Sequence, residues 1–190
     1  LKEEQGKFAR LMPRDNPSAK SGGKCPNKMS FIPGGVFFAG RLDSLKEMSI
    51  NAFCMDQYEV TQSEYERETG KNPSSFKGTN RPVERVRWHE AKAYCQKVGK
   101  RLPTEWEWEK AAKAGTTTMY YWGHAMESGM ANFCDTNCMH RWKNDKFNDG
   151  YKTTAPVGSF AANPFGLHDM TGNVWEWTDS GYGHMHKVLR

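Results

Sequence analysis

Asn163-Pro-Phe-Gly-Leu-His-Asp-Met-Thr-Gly-Asn-Val-Trp-Glu-Trp-Thr-Asp179 gathers oxygen ligands, glycines and tryptophans in a run too irregular for an ordinary helix or strand. Asp169 and Glu176 offer carboxylates. Gly172 and Val174 lie between them, where a tight loop can turn main-chain carbonyls inward. Calcium takes six to eight oxygens, so this pattern suits a hard cation held beside an aromatic surface. The plainer alternative is a glycine turn leading into a tryptophan-rich core strand. Trp175 and Trp177 alternate with Val174 and Glu176, which would put both rings on one face of an extended segment, as buried core or as a ligand platform.

Outward from that run, the chain of 190 residues fits one domain whose core buries roughly 70% of the unfolded surface. Only 37% of residues are hydrophobic, yet seven Trp, seven Tyr and ten Phe supply large buried area, so a loop-rich fold with an aromatic core is expected. The net charge of +5 comes from scattered Lys and Arg with no basic helix stripe, which argues against nucleic acid. No apolar run reaches the length of a membrane span, and the first residues lack a signal-peptide pattern.

Five cysteines set the compartment. Cys25 and Cys54 flank the first hairpin-like region and are expected to pair. Cys134 and Cys138 bracket a short polar loop where a bridge is feasible. Cys95 falls on the apolar face of a helix and reads as a buried free thiol. Two bridges and one core thiol indicate an exported protein: periplasmic, cell-surface or secreted. A zinc site at Cys134, Cys138 and His140 lacks a fourth ligand at suitable spacing. The pair His184 and His186 lacks a third ligand and reads as an exposed loop.

Residues 1–24 are polar, carry Pro13, Pro17, Gly22 and Gly23, and read as a tail or linker, with the folded domain over 25–190. The segment 31–40 reads as a turn into a strand, and 48–55 as another. Thr61 with Glu64 forms a capping box that opens a short helix ended by Gly70. Ala91, Tyr94, Cys95 and Val98 mark one face of a second helix that ends at Gly99. Thr104 with Glu107 caps a third, with Trp108, Ala111 and Ala112 as its buried stripe before Gly115. Its Glu105, Glu107 and Glu109 read as a cap group and solvated charges. Residues 116–160 form an irregular excursion, long enough to be functional or pinned by something other than a hydrophobic core.

Together with Phe31-Ile-Pro-Gly-Gly-Val-Phe37, Glu59-Val-Thr61, Pro82-Val83 and Arg101-Leu-Pro-Thr-Glu-Trp-Glu-Trp-Glu109, the opening stretch resembles the sulfatase-modifying factor family. Its best-known member is the formylglycine-generating enzyme. The likeness runs in order from about Cys25 to Asp179. It implies an α+β, C-type-lectin-like architecture, with two main helices on a small twisted antiparallel sheet and much irregular structure. It also implies two structural calcium sites. One falls on Asn132, Phe133, Asp149 and Tyr151, the other on Asp169, Gly172, Val174 and Glu176.

The family's oxidase binds copper(I) through two cysteines near its C-terminus, after a Gly-Gly-Ser-aromatic strand. Here no cysteine follows Cys138, and Cys134 and Cys138 match a loop away from that position. The resemblance therefore assigns no catalytic and no cofactor-binding residue, and copper enters only if terminal cysteines exist in a longer product. Without the closing strands, a fragment of a longer protein or completion by another chain is expected. The expected role is a non-catalytic binding, accessory or assembly module acting on a protein partner or peptide. The alternative is copper-dependent oxidation of a sulfatase-type cysteine to formylglycine.

Overall fold

A computed structural model describes residues 10–14, 24–182 and 186–190. Helix α1 (Gln62–Thr69) begins where expected: the Glu64 amide donates to Thr61 Oγ1 at 3.2 Å and the Thr61 amide donates back to Glu64 Oε2 at 3.0 Å. Gly70 closes it in the left-handed region at φ 72°, where a glycine has no Cβ penalty. Helix α2 (Trp88–Lys97) follows a loop, and α3 (Glu105–Lys113) starts from the Thr104 and Glu107 box. No helix among the described residues is long and apolar enough to cross a membrane.

The strands are short: β1 (Met12–Pro13), β2 (Met29–Ile32), β3 (Gly35–Ala39), β4 (Lys46–Ile50), β5 (Phe53–Asp56), β6 (Lys100–Arg101), β7 (Trp177–Tyr182) and β8 (His186–Leu189). They pair antiparallel as four two-stranded ladders, β1 with β6, β2 with β5, β3 with β4 and β7 with β8. The expected strand over 48–55 is thus two strands, separated by Asn51 and Ala52. The overall class is α+β, as the sequence indicates.

The polar segment 1–24 contains a docked piece. Arg10, Leu11 and Met12 are buried, and the Asp56 amide donates to the Leu11 carbonyl at 3.0 Å. Successive side chains of an extended segment point to opposite sides. Accordingly, Leu11 enters one hydrophobic core with Val60, Val86, Tyr94 and Trp177, while Met12 enters a second with Ile32, Phe53, Met55 and Leu167. A two-residue apolar insert in a polar stretch carries no period, which is why the tail reading missed it. Residues 1–9 and 15–23 lie outside the described residues.

Helix α3 also departs from its expected stripe. Ala111 is buried, but Trp108 and Ala112 are only partly so, and Glu109 and Lys110 go inside instead. Glu109 is not a solvated charge. It accepts the Gly40 amide at 2.6 Å and pairs with Lys113 at 3.1 Å and Arg190 at 3.1 Å, so its burial is compensated.

Candidate functional site

The excursion over 116–160 is tied down by polar side chains. Asp149 accepts the Phe133 amide at 3.0 Å through one oxygen and the Tyr151 amide at 2.7 Å through the other. Asn132 donates from its side chain to the Thr153 carbonyl at 2.7 Å. The structure thus brings Asn132, Phe133, Asp149 and Tyr151 into one loop cluster. Asp135, fully buried in the Cys134–Cys138 loop, joins them by accepting the Asp149 amide and, at 2.8 Å, the Asn137 amide. Burial pushes the Asp149 carboxyl above its ordinary value. The Tyr151 and Phe133 amides pull it back, and the neighbouring Asp135 charge pushes it up again. Among the described residues neither carboxylate has a lysine or arginine partner. Two acids in one cluster without a base are the donor chemistry that a hard divalent ion fits.

The second loop lies directly against the first. Gly172 forms a parallel bridge with Asn132, and the Asn173 amide donates to the Asn132 carbonyl at 2.8 Å. A Cβ on Gly172, whose φ is +82°, would run into that carbonyl oxygen. Asp169 and Asn173 also take positive φ, both at 55°, so the loop winds tightly. Asn173 is fixed by donating to Glu59 Oε2 at 2.7 Å and accepting the Ala155 amide at 2.9 Å.

Three carboxyls are buried here: Glu59, Asp169 and Glu176. Burial raises the pKa of all three, well above the ordinary range for Glu59, where the Asp169 charge adds to it. Asp169 Oδ2 accepts the Gly158 amide at 2.7 Å, while Asp169 Oδ1 and Glu59 Oε1 have no hydrogen-bond partner among the described residues. Glu176 is fully committed. Arg10 Nε lies 3.0 Å from its Oε1, and its Oε2 accepts the Trp108 indole at 2.9 Å and the Arg10 amide at 3.3 Å. For calcium this leaves Asp169 Oδ1, Glu59 Oε1 and the Gly172 and Val174 carbonyls, four donors against the six to eight required. Sequence reasoning missed Arg10, Glu59, Asn173 and Asp135. Of these, Asp135 alone had a local signal, its place between two cysteines.

Above both loops opens a cavity of about 510 Å³, lined by Phe133, Tyr151, Trp142, Trp175 and the Cys134–Cys138 disulfide, with Arg190 also reaching it. Trp142 is 73% exposed and Trp175 61% exposed, and His140 stacks on the Trp142 ring with centroids 5.0 Å apart. Trp175 and Trp177 do not share a face. Regular strand geometry starts only at Trp177, so Trp177 turns into the core and donates its indole to the Val86 carbonyl at 2.9 Å, while Trp175 faces the cavity.

All five cysteines have defined states. Cys25 pairs with Cys54 and Cys134 with Cys138, as expected from their spacing, and Cys95 is free and buried, with its thiol pushed up to about 12 by burial. The Cys134–Cys138 bond removes the zinc alternative. No group of three or more His, Cys, Asp or Glu side chains among the described residues is placed to hold a metal. His184 lies outside the described residues.

Short ladders, three capped helices and long loops pinned by buried carboxyls under an aromatic groove define an α+β domain organised by its loops. The chain belongs to the sulfatase-modifying factor family: residues 15–188 match the family described as "Sulfatase-modifying factor enzyme 1-like domain". It is similar to the formylglycine-generating enzyme of Mycobacterium tuberculosis, with 45% identity over 113 residues, covering 56% of this chain and 36% of that protein. It is equally similar to the inactive C-alpha-formylglycine-generating enzyme 2 of Bos taurus, with 45% identity over 103 residues, covering 53% of this chain and 33% of that protein. The matched region is thus about a third of the length of either relative. Among solved structures, Treponema denticola variable protein 1 superposes with a TM-score of 0.65 at 26% identity, covering 83% of this chain and 74% of that one.

Proposed function

We propose that this chain is a non-catalytic binding module of its family, whose aromatic groove takes an extended peptide segment of a protein partner. The observation that carries the reading is the pairing of an open groove walled by Trp142 and Trp175 with cysteines that are all closed to chemistry. Exposed indoles offer large, rigid contact area at low entropic cost, the usual anchor of a recognition surface. Copper(I) needs thiolates, and Cys95 is buried and protonated while the other four cysteines are oxidised. The bovine relative, named as inactive, supports the reading that a member of this family can lack turnover.

The cluster of Asn132, Phe133, Asp149 and Tyr151 would hold calcium, which would offset the Asp135 and Asp149 charges and the entropy of ordering a long loop. Two disulfides belong to an oxidising compartment, and we place the protein outside the cytosol.

Mixing the protein with a Cys-x-Pro-x-Arg peptide tests the role. Binding that Trp175→Ala weakens by tenfold or more, with the peptide mass unchanged, is the expected result. Conversion of the peptide thiol to an aldehyde would favour the second reading, cysteine oxidation, for which the likeness to the Mycobacterium enzyme speaks.

A further inference from the structure

We propose that Arg10 is the resident cation of the 169–176 loop, taking in this chain the part that a divalent ion would play there. Its guanidinium makes three directed contacts at once. Nε meets Glu176 Oε1 at 3.0 Å, Nη1 donates to the Gln57 carbonyl at 2.7 Å, and Nη2 donates to the carbonyl of His168, the residue preceding Asp169. Its own amide reaches the other Glu176 oxygen at 3.3 Å, so one residue satisfies a carboxylate and two carbonyls while remaining fully buried.

Calcium demands six to eight oxygens at roughly 2.3–2.6 Å. With Glu176 turned to Arg10 and Trp108, and Asp169 giving one oxygen to Gly158, the loop retains three donors of its own, with Glu59 Oε1 beside them as a fourth, on the wall of the groove. A guanidinium suits the same anionic loop differently, because its planar fork matches carboxylate and carbonyl acceptors and never loses its charge. It is also tethered: Leu11 and Met12 are anchored in the two cores and β1 is paired to β6. The order of this loop is therefore independent of free calcium, unlike that of its neighbour.

Terbium(III) luminescence and calcium-dependent melting of the Asp149→Asn protein test this, since that substitution weakens the first loop's cation site and isolates the second. Asp149→Asn should show no terbium emission sensitised by Trp108 and no calcium-dependent shift in Tm. Adding Arg10→Met should create one terbium equivalent and a Tm that rises with calcium, whereas Arg10→Lys, keeping a charge, should create neither. A double variant that unfolds without calcium and refolds with it supports the assignment. Ion binding by Asp149→Asn with Arg10 in place would overturn it, as would a double variant that takes up no ion, folded or not. Loss of calcium binding by the unmodified chain would instead count against the first site and leave this assignment standing.

Discussion

Arg10 and Glu176 are 166 residues apart in sequence and form an ion pair of 3.0 Å with neither side chain more than 1% exposed. Removing one partner strands a charge away from water, which costs about 3–5 kcal/mol, whereas replacing both with apolar groups can be nearly neutral. Glu176→Ala should therefore lose stability of that order in urea unfolding. The Arg10→Met, Glu176→Leu pair should recover most of it. Equal losses in the single and double variants would show that the pair does not act as a unit.

Gly172→Ala places a methyl group against the Asn132 carbonyl at a backbone angle of +82°. Nothing flexible lies in the way, so one loop must move off the other. The expected cost exceeds about 1 kcal/mol, read as a lower Tm, and any calcium affinity of the Asn132 and Asp149 cluster should fall with it. An unchanged melt would separate the two loops energetically.

Glu107 governs one pH dependence. Burial pushes its carboxyl up, but the Arg101 side chain, bonded at 2.7 and 2.9 Å, and the Thr104 amide outweigh that and leave its pKa lowered. The folded state therefore binds the proton less well than the unfolded chain does. The stabilisation is present above the ordinary glutamate pKa of about 4.3 and fades as pH falls through the lowered folded value. Glu107→Gln should be less stable than the parent at pH 7, with the difference shrinking toward pH 3. A constant difference across that range would assign Glu107 a packing role only.

The two disulfides should not reduce together. Cys25–Cys54 spans a sequence separation of 29 and Cys134–Cys138 one of 4. Chain entropy makes these worth about 3.5 and about 2 kcal/mol respectively. Cys54 is fully buried, whereas Cys134 and Cys138 line the groove. Graded dithiol treatment followed by alkylation and peptide mass mapping should label Cys134 and Cys138 first. Cys95 should remain unlabelled until the chain unfolds, and early labelling there would contradict its buried state.

Helices α1 and α3 were legible because each starts from a local chemical device, a threonine with a glutamate three residues on, and α1 stops at a glycine in the left-handed region; α2 starts at Arg87 and was legible from the apolar face of Ala91, Tyr94 and Cys95. Both cysteine pairs were legible from spacing. The loops were legible only as donors: Asp149 and Asp169 could be named, but which oxygens were already taken depends on partners such as Arg10 and Gly158 that no local pattern reveals. Alternation misled at Trp175 and Trp177 because the strand begins at Trp177, two residues too late to include Trp175. At Glu109 a helix stripe drawn from apolar residues alone could not anticipate a buried carboxylate answering Gly40, Lys113 and Arg190.

Glu176 is also where both extremities of the described chain fasten: its side chain holds Arg10, and its main chain exchanges hydrogen bonds with Arg190 at 2.6 and 2.9 Å. During synthesis, which proceeds at roughly 5–20 residues per second, the earlier of these partners must wait undocked until Glu176 has left the ribosome. Nascent chains stalled before residue 176 should thus remain protease-sensitive at Leu11 and Met12, and closure of this domain waits on the emergence of its 169–176 loop.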